Sequence, residues 1–412
     1  MASQTALRDV FLGKHPYIKF GLGQWREYKD GIWEEVPELS VKNNVQTIVQ
    51  ASPTTRMSSG VVTSITELLK QRTALPDRIF DFNPNILVFN NCCLDLTTYL
   101  SVPHAPSYYA TQKLKFDYDP EAQSVAWDKA VTSFPCVDVL QRFAGLALTT
   151  ETKYEVALWL HGPPGGGKST FIIGLETMLG HRACVLGLDD LSRSNFALSQ
   201  IPGKTLAVST EQPAIFVKCA HKLNSLISGE SITIEEKFMP RYTIQPKLKI
   251  LWAMNELPVI PSGAGAGLFR RVYPIYWPAI PELERKPEMK DEIAHSGMAI
   301  VNWALEGLKR LQAANRFEIP VELSQARDTY REMGDVTLTF ITECCDHDGE
   351  TGSDDLYRRY SDWCDQNGHH ALASNRFSVD LERLGFTRRR KNTGQYWPGL
   401  TLKVTLDNAV VH

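Results

Sequence analysis

Residues 158–180 read LWLHGPPGGGKSTFIIGLETMLG, and no other stretch restricts the fold so tightly. An apolar run from Val156 to Leu160, of the kind buried in a parallel sheet, leads into Gly162, four residues, Gly167, Lys168 and Ser169. Phe171, Ile172, Leu175, Met178 and Leu179 then fall on one helical face until Gly180 stops the helix. Strand, glycine-rich loop, lysine, hydroxyl and helix in that order make a phosphate loop. Its glycines let backbone N–H groups turn inward on an anion, and the helix N-terminus adds a favourable dipole. On this pattern Gly162, Pro163, Pro164, Gly165, Gly166, Gly167 and Thr170 surround the phosphates. Lys168 reaches the β and γ phosphates, and Ser169 ligates magnesium. No Asn-Lys-x-Asp or Thr-Lys-x-Asp segment follows to read guanine, so the expected pair is ATP and Mg2+.

What lies on the neighbouring strand ends decides what such a loop can do. GKTLAVSTEQ ends a second apolar run, Leu206 to Val208, near Glu211, where a carboxylate can polarise the attacking water and stand beside the metal. LKILWAMNELP ends a third, Leu248 to Met254, on Asn255, an amide able to hydrogen-bond the γ-phosphate or the water. GLFRRVYPI supplies Arg270 and Arg271, either of which could be an arginine finger serving a neighbouring subunit's nucleotide. Between these elements Ile232 with Ile234, and Tyr242 with Ile244, alternate with polar residues. They predict a hairpin whose tip carries Lys237, Phe238 and Arg241. Two cations and an aromatic suit a single-stranded nucleic acid, although a solvated hairpin has the same composition.

The 412 residues can bury several cores. Residues 1–135 read as mixed helix and strand, with a hairpin from Gln24 to Pro37 closing on Asp30-Gly31 and its Trp25, Tyr28 and Trp33 half buried. Residues 136–280 alternate strands with helices, as in a doubly wound α/β core with a parallel sheet. Residues 281–335 are helical, with Ile300, Trp303, Ala304, Gly307, Leu308 and Leu311 in one stripe. Residues 336–412 give helices from Ser353 to Gln366 and Ser374 to Leu384, then a hairpin turning at Asn392 to Gly394, the order of a winged helix. Its Arg388, Arg389, Arg390 and Lys391 either hold duplex DNA or protect an exposed edge strand.

A net charge of -3 argues against a protein coated in nucleic acid, but permits basic residues confined to a channel or a wing. Eight cysteines without a Cys-x-x-Cys pair are expected to be free thiols. Cys344, Cys345, His347, Cys364, His369 and His370 lack the paired spacing of a zinc site, and core packing is the expected role of Cys364 beside Tyr357, Tyr360 and Trp363. No signal peptide opens the chain and no apolar run reaches the ~18 residues of a membrane span, so a cytoplasmic protein, in a host cell or at a viral replication site, is expected.

The order of Walker A loop, strand-end Glu211, ISGESITIEE, AMNELP and FRR resembles superfamily 3 helicases, most closely the phage, plasmid and poxvirus type of primase-helicase. NNCCLDLTT with FDYDPEA resembles that family's N-terminal associated region, GMAIVNWALEGLKRL its post-core helix and DDLYRRYSDWCDQNG its winged helix. The resemblance implies an AAA+-like P-loop ATPase core, flanked by an N-terminal α+β and helical region and a C-terminal winged helix. It further implies a ring hexamer moving 3′ to 5′ on single-stranded and forked DNA. Lys168 and Ser169 would hold nucleotide and magnesium, Glu211 would be the catalytic carboxylate, Asn255 the sensor, Arg270 or Arg271 the trans finger, and Lys237 with Phe238 the tracking tip. Thr210 stands where many members have Asp, which implies a weaker or water-mediated hold on the metal. The chain opens directly in the associated region, so primer synthesis is expected of a separate or upstream primase. An origin-binding initiator and a loader ATPase that unwinds nothing are the alternative roles.

Overall fold

The structure is a computed structural model that describes residues 3–403, apart from 77–78, 194–195, 213–216, 218, 236–240, 259, 261–266, 287, 334, 368 and 370. The chain opens with α1 (Gln4–Lys14), whose first turn is capped by the Ser3 hydroxyl. A meander follows, β1 (Ile18–Gly21), β2 (Gln24–Lys29) and β3 (Ile32–Val36), backed by α2 (Glu38–Gln50) and α3 (Ser59–Thr73). The expected hairpin is present: Asp30 and Gly31 both take positive φ, 48° and 88°, the turn that matches strand twist. Tyr28 is half buried as expected, whereas Trp25 and Trp33 are fully buried. A second small sheet, β4 (Ile86–Val88), β5 (Cys93–Asp95) and β6 (Leu100–Val102), leads to α4 (Val125–Val131) and α5 (Val137–Ala147).

Next comes the central layer, a mixed α/β arrangement around a five-stranded parallel sheet. It contains β7 (Ala157–His161), α6 (Lys168–Leu179), β8 (Ala183–Val185), α7 (Leu188–Arg193), β9 (Leu206–Gln212) and α8 (Ala220–Ser228). A two-stranded hairpin, β10 (Ile232–Ile234) and β11 (Tyr242–Ile244), precedes β12 (Lys249–Met254) and β13 (Val272–Tyr276). The sheet order is β13-β7-β12-β9-β8, every pairing parallel. Every residue of β12 is buried, as a strand covered on both faces requires. Two strands escape the apolar-run reading: β8 is only three residues long, and β13 is interrupted by Pro274, which its edge position tolerates.

Beyond the sheet run α9 (Met289–Ala294), α10 (Gly297–Ala314) and α11 (Val321–Met333). Helix α10 buries Ile300, Ala304, Gly307, Leu308 and Leu311 of the expected stripe. It meets α5 backbone to backbone: a Cβ on Gly307 would lie 2.1 Å from the Gln141 carbonyl oxygen, and one on Gly145 2.5 Å from that of Ala304. One apolar core joins Leu87, Leu94 and Trp127 to Leu158, Phe171, Ile300 and Leu308.

The last unit holds α12 (Val336–Cys344), β14 (Cys345–Asp346), β15 (Glu350–Gly352), α13 (Ser353–Gln366), α14 (Ser374–Arg383), β16 (Arg389–Lys391), β17 (Gly394–Pro398) and β18 (Thr401–Leu402). Both expected helices and the hairpin are there, joined by a third helix, and β15 pairs with β17 to make a three-stranded antiparallel sheet. Cys344, Cys345 and Cys364 pack with Phe340, Tyr360 and Trp363 in its core. Among the described residues no helix is long and apolar enough to cross a membrane.

Candidate functional site

The glycine-rich loop leaves β7 at His161 and turns into α6 at Lys168. Gly162, Gly165 and Gly167 have φ of +136°, +81° and +93°, values that favour glycine, so the loop's shape is built into its sequence. The loop is also braced from behind. A Cβ on Gly162 would fall 2.4 Å from the Trp277 carbonyl oxygen, and one on Gly166 2.4 Å from that of Pro278. Trp277, fully buried, donates its Nε1–H to the Gly166 carbonyl at 2.6 Å and its backbone N–H to His161 at 2.7 Å. The Gly162 N–H donates to the Asn255 carbonyl at 3.1 Å.

Lys168 is buried, and its Nζ donates to the carbonyls of Gly162 (2.6 Å) and Pro163 (2.8 Å). Burial pushes its pKa down. No carboxylate pairs with it among the described residues. A buried ammonium held only by carbonyl dipoles stands to gain from a phosphate anion. His161 beside it is held below the usual histidine range by burial and by the Lys168 charge. Half-buried Ser169 and Thr170 follow on the first turn of the helix, while Pro163 and Pro164 are exposed on the loop's outer side.

Strand register brings the other expected residues to the same edge. Met254 is level with His161 on one side and with Gln212 on the other. The residues at that edge are therefore Gly162, Asn255 and Glu211. With strands about 4.8 Å apart and β12 lying between, Glu211 stands about 10 Å across from the loop's start. Glu211 and Asn255 are exposed there, and the β9–β12 ladder shifts register beside them. A carboxylate, an amide, a hydroxyl and a lysine thus stand at one edge of the sheet, around the glycine-rich loop. The carboxylate and hydroxyl are oxygen donors of the kind magnesium takes.

Arg270 and Arg271 differ. Arg271 is buried and bound within its own chain, to Glu155, Asn224 and the Gly267 carbonyl. Arg270 is exposed, and among the described residues its guanidinium has no hydrogen-bond or ion-pair partner. It precedes β13, whose Val272 is level with Ala157 and whose Tyr276 is level with His161. Arg270 therefore sits at the opposite edge of the sheet from its own loop, at least about 16 Å away at 3.3 Å per residue. Phe269, Arg270, Arg327, Asp328 and Arg331 line a cavity of about 100 Å³ there, three cations to one acid.

The expected hairpin forms, with Ile234 opposite Tyr242. Lys237 and Phe238 lie outside the described residues; Arg241 is exposed and paired with Glu235 at 2.9 Å. In the C-terminal unit Arg388, Arg389 and Arg390 are all exposed, the latter two on edge strand β16. Arg388 stacks over Trp397 at 5.9 Å, and Lys391 pairs with Glu350. Sequence reading missed Trp277 and Arg285, whose guanidinium lies against Gly165. Neither belongs to a motif, and each meets the loop from more than a hundred residues downstream.

Three family profiles match along the chain: "D5 N terminal like" over residues 4–135, a family of unknown function (DUF5906) over 160–271, and "Poxvirus D5 protein-like" over 332–405. No curated protein sequence matches it. Among solved structures, an apo form of the NrS-1 C-terminal region is 11% identical with a TM-score of 0.55, covering 98% of this chain and 100% of that one. A second apo form is 13% identical with a TM-score of 0.50, covering 81% and 75%. These likenesses show a shared fold. The D5 profiles at both ends support a likeness to the D5 type of primase-helicase.

Proposed function

We propose that the protein is an ATP-driven DNA helicase of superfamily 3, working as a ring of identical subunits in the replication of a virus, phage or mobile element. The observation that carries this reading is the register. It levels Gly162, Asn255 and Glu211 at one edge of the sheet and leaves Arg270 at the other. One copy then offers a phosphate cradle with its carboxylate, and the opposite edge offers a cation to a second copy. In this account the core is AAA+-like (136–280), between an N-terminal associated region (1–135) and a helical segment (281–335) with a winged helix (336–412).

ATP with magnesium, when bound, supplies the hydrolysable phosphoanhydride and part of its charge neutralisation. The loop N–H groups from Gly165 to Ser169 orient the phosphates, and Lys168 exchanges its carbonyl contacts for phosphate oxygens. The Ser169 hydroxyl would hold the metal, with Glu211 at the strand end beyond β12. Glu211 accepts a hydrogen bond from the attacking water and takes its proton, while Asn255 fixes the water or the γ-phosphate. Arg270 completes the neighbouring subunit's site. The β10–β11 tip, including Lys237, Phe238 and Arg241, carries single-stranded DNA, and directionality is expected to be 3′ to 5′. Full-chain ATPase measured with and without single-stranded DNA tests this. Hydrolysis stimulated by DNA and abolished in Lys168→Ala is expected, and no hydrolysis under either condition would remove the reading.

A second reading, an origin-binding initiator or loader whose ATPase only assembles the ring, is favoured by one observation. Arg388, Arg389 and Arg390 form an exposed basic run ending on an edge strand, a shape suited to duplex phosphates.

A further inference from the structure

Arg285 belongs to no motif, yet its guanidinium packs on the phosphate loop. A Cβ on Gly165 would sit 2.6 Å from Arg285 Cζ and 2.7 Å from its Nη2. The turn carrying the arginine is tied to the loop. The Ile280 N–H donates to the Gly165 carbonyl at 3.3 Å, and Arg285 Nε donates to the Ile280 carbonyl at 3.0 Å. The same segment starts from Trp277, whose indole holds Gly166. The turn of Arg285 is thus bonded to the loop, and it follows the carboxyl end of β13, at the edge of the sheet where the loop lies.

Guanidinium offers five N–H donors in a planar fork. Here Nε alone has a partner: among the described residues neither Nη1 nor Nη2 makes a hydrogen bond or ion pair, although Glu282 and Glu284 stand in the same turn. One neutral hydrogen bond is a weak return for ordering so long an exposed side chain on glycine backbone. The unused donors instead lie against Gly165, on the loop proposed above to hold the phosphates. Lys168 is a buried point charge, whereas the exposed Arg285 fork can engage two oxygens at once.

We propose that Arg285 is a further nucleotide ligand acting in cis, a second cation that binds the polyphosphate oxygens held by Gly165 to Lys168. This assignment rests on the nucleotide-binding reading above. The test is equilibrium binding of a slowly hydrolysed ATP analogue, and of inorganic tripolyphosphate, with magnesium, to the full chain as wild type, Arg285→Ala and Arg285→Lys. Arg285→Ala is expected to weaken both ligands about ten- to hundredfold, with Arg285→Lys recovering part of the loss and the ligand-free thermal midpoint unchanged. If wild type binds and Arg285→Ala binds within about twofold, the assignment is overturned and the nucleotide reading stands. A lowered ligand-free midpoint in both variants without recovery by lysine would make Arg285 a brace of the loop and overturn the assignment too. Failure of wild type to bind either ligand would overturn the nucleotide reading and this assignment with it.

Discussion

Arg271 holds Glu155 through two nitrogens, Nε and Nη2 each lying 2.8 Å from the same Oε2. Its Nη1 is taken up by Asn224 and the Gly267 carbonyl, so this arginine fastens the start of β13 to the loop before β7. Arg271→Ala should therefore cost about 2–3 kcal/mol in urea unfolding. Exposed Arg270 should behave in the opposite way. Arg270→Ala is expected to keep stability within about 0.5 kcal/mol and to lose about a thousandfold or more in ATPase rate. Mixing Arg270→Ala with Lys168→Ala subunits should restore activity, because each supplies what the other lacks. Wild-type ATPase from Arg270→Ala alone would rule out the finger.

Trp277 supports the loop from behind with one hydrogen bond and a carbonyl that leaves no room for a Cβ on Gly162. Trp277→Phe keeps an aromatic ring and leaves the Gly166 carbonyl without that donor, at a cost of about 1–2 kcal/mol in stability. The loosened loop should raise the KM for ATP more than it lowers kcat. An unchanged KM at reduced stability would confine Trp277 to packing.

Lys249 lies buried at the start of β12, its Nζ donating to the Thr149 carbonyl at 2.5 Å and the Lys247 carbonyl at 3.1 Å. Burial, and then the Arg182 charge, push its pKa well below the ordinary lysine value. The unfolded chain therefore binds a proton more readily than the folded one. Wild-type stability relative to Lys249→Met should rise with pH through the lowered folded pKa and level off near the unfolded value of about 10.4. Urea midpoints for both proteins from about pH 6 to about pH 10 check the sign. A constant difference would mean that Lys249 titrates alike in both states.

The exposed arginines of the C-terminal unit give a test of its partner. Arg389→Ala and Arg390→Ala should each weaken duplex DNA binding and reduce the salt slope by about one, leaving DNA-free ATPase unchanged. Binding titrations at several salt concentrations read this directly. An unaltered slope would make the arginines guards of edge strand β16.

The placement of the site's residues is legible where it is local in sequence. The loop, the strand ends at Glu211 and Asn255, and the hairpin from Ile232 to Ile244 each carry their pattern within a few residues. The short edge strand β8 and the proline-bearing β13 carry no such pattern. The distinction between Arg270 and Arg271 depends on Glu155, far upstream, and the roles of Trp277 and Arg285 depend on backbone atoms of the loop. Adjacent residues of one type can be separated only by what folds against each. Trp25 and Trp33, expected half buried in their hairpin, are fully buried, because the backing helices cover Trp25 and the rings of Phe80 and Tyr109 cover Trp33.

Strand separation driven by this loop is what would set a helicase apart from an initiator or loader. The most direct measurement is ATP-dependent unwinding of forked DNA bearing either a 3′ or a 5′ single-stranded tail, with Lys168→Ala as control. Unwinding from the 3′-tailed substrate that vanishes in Lys168→Ala is the predicted result. ATP hydrolysis with no strand separation on either substrate would contradict it and favour the initiator or loader.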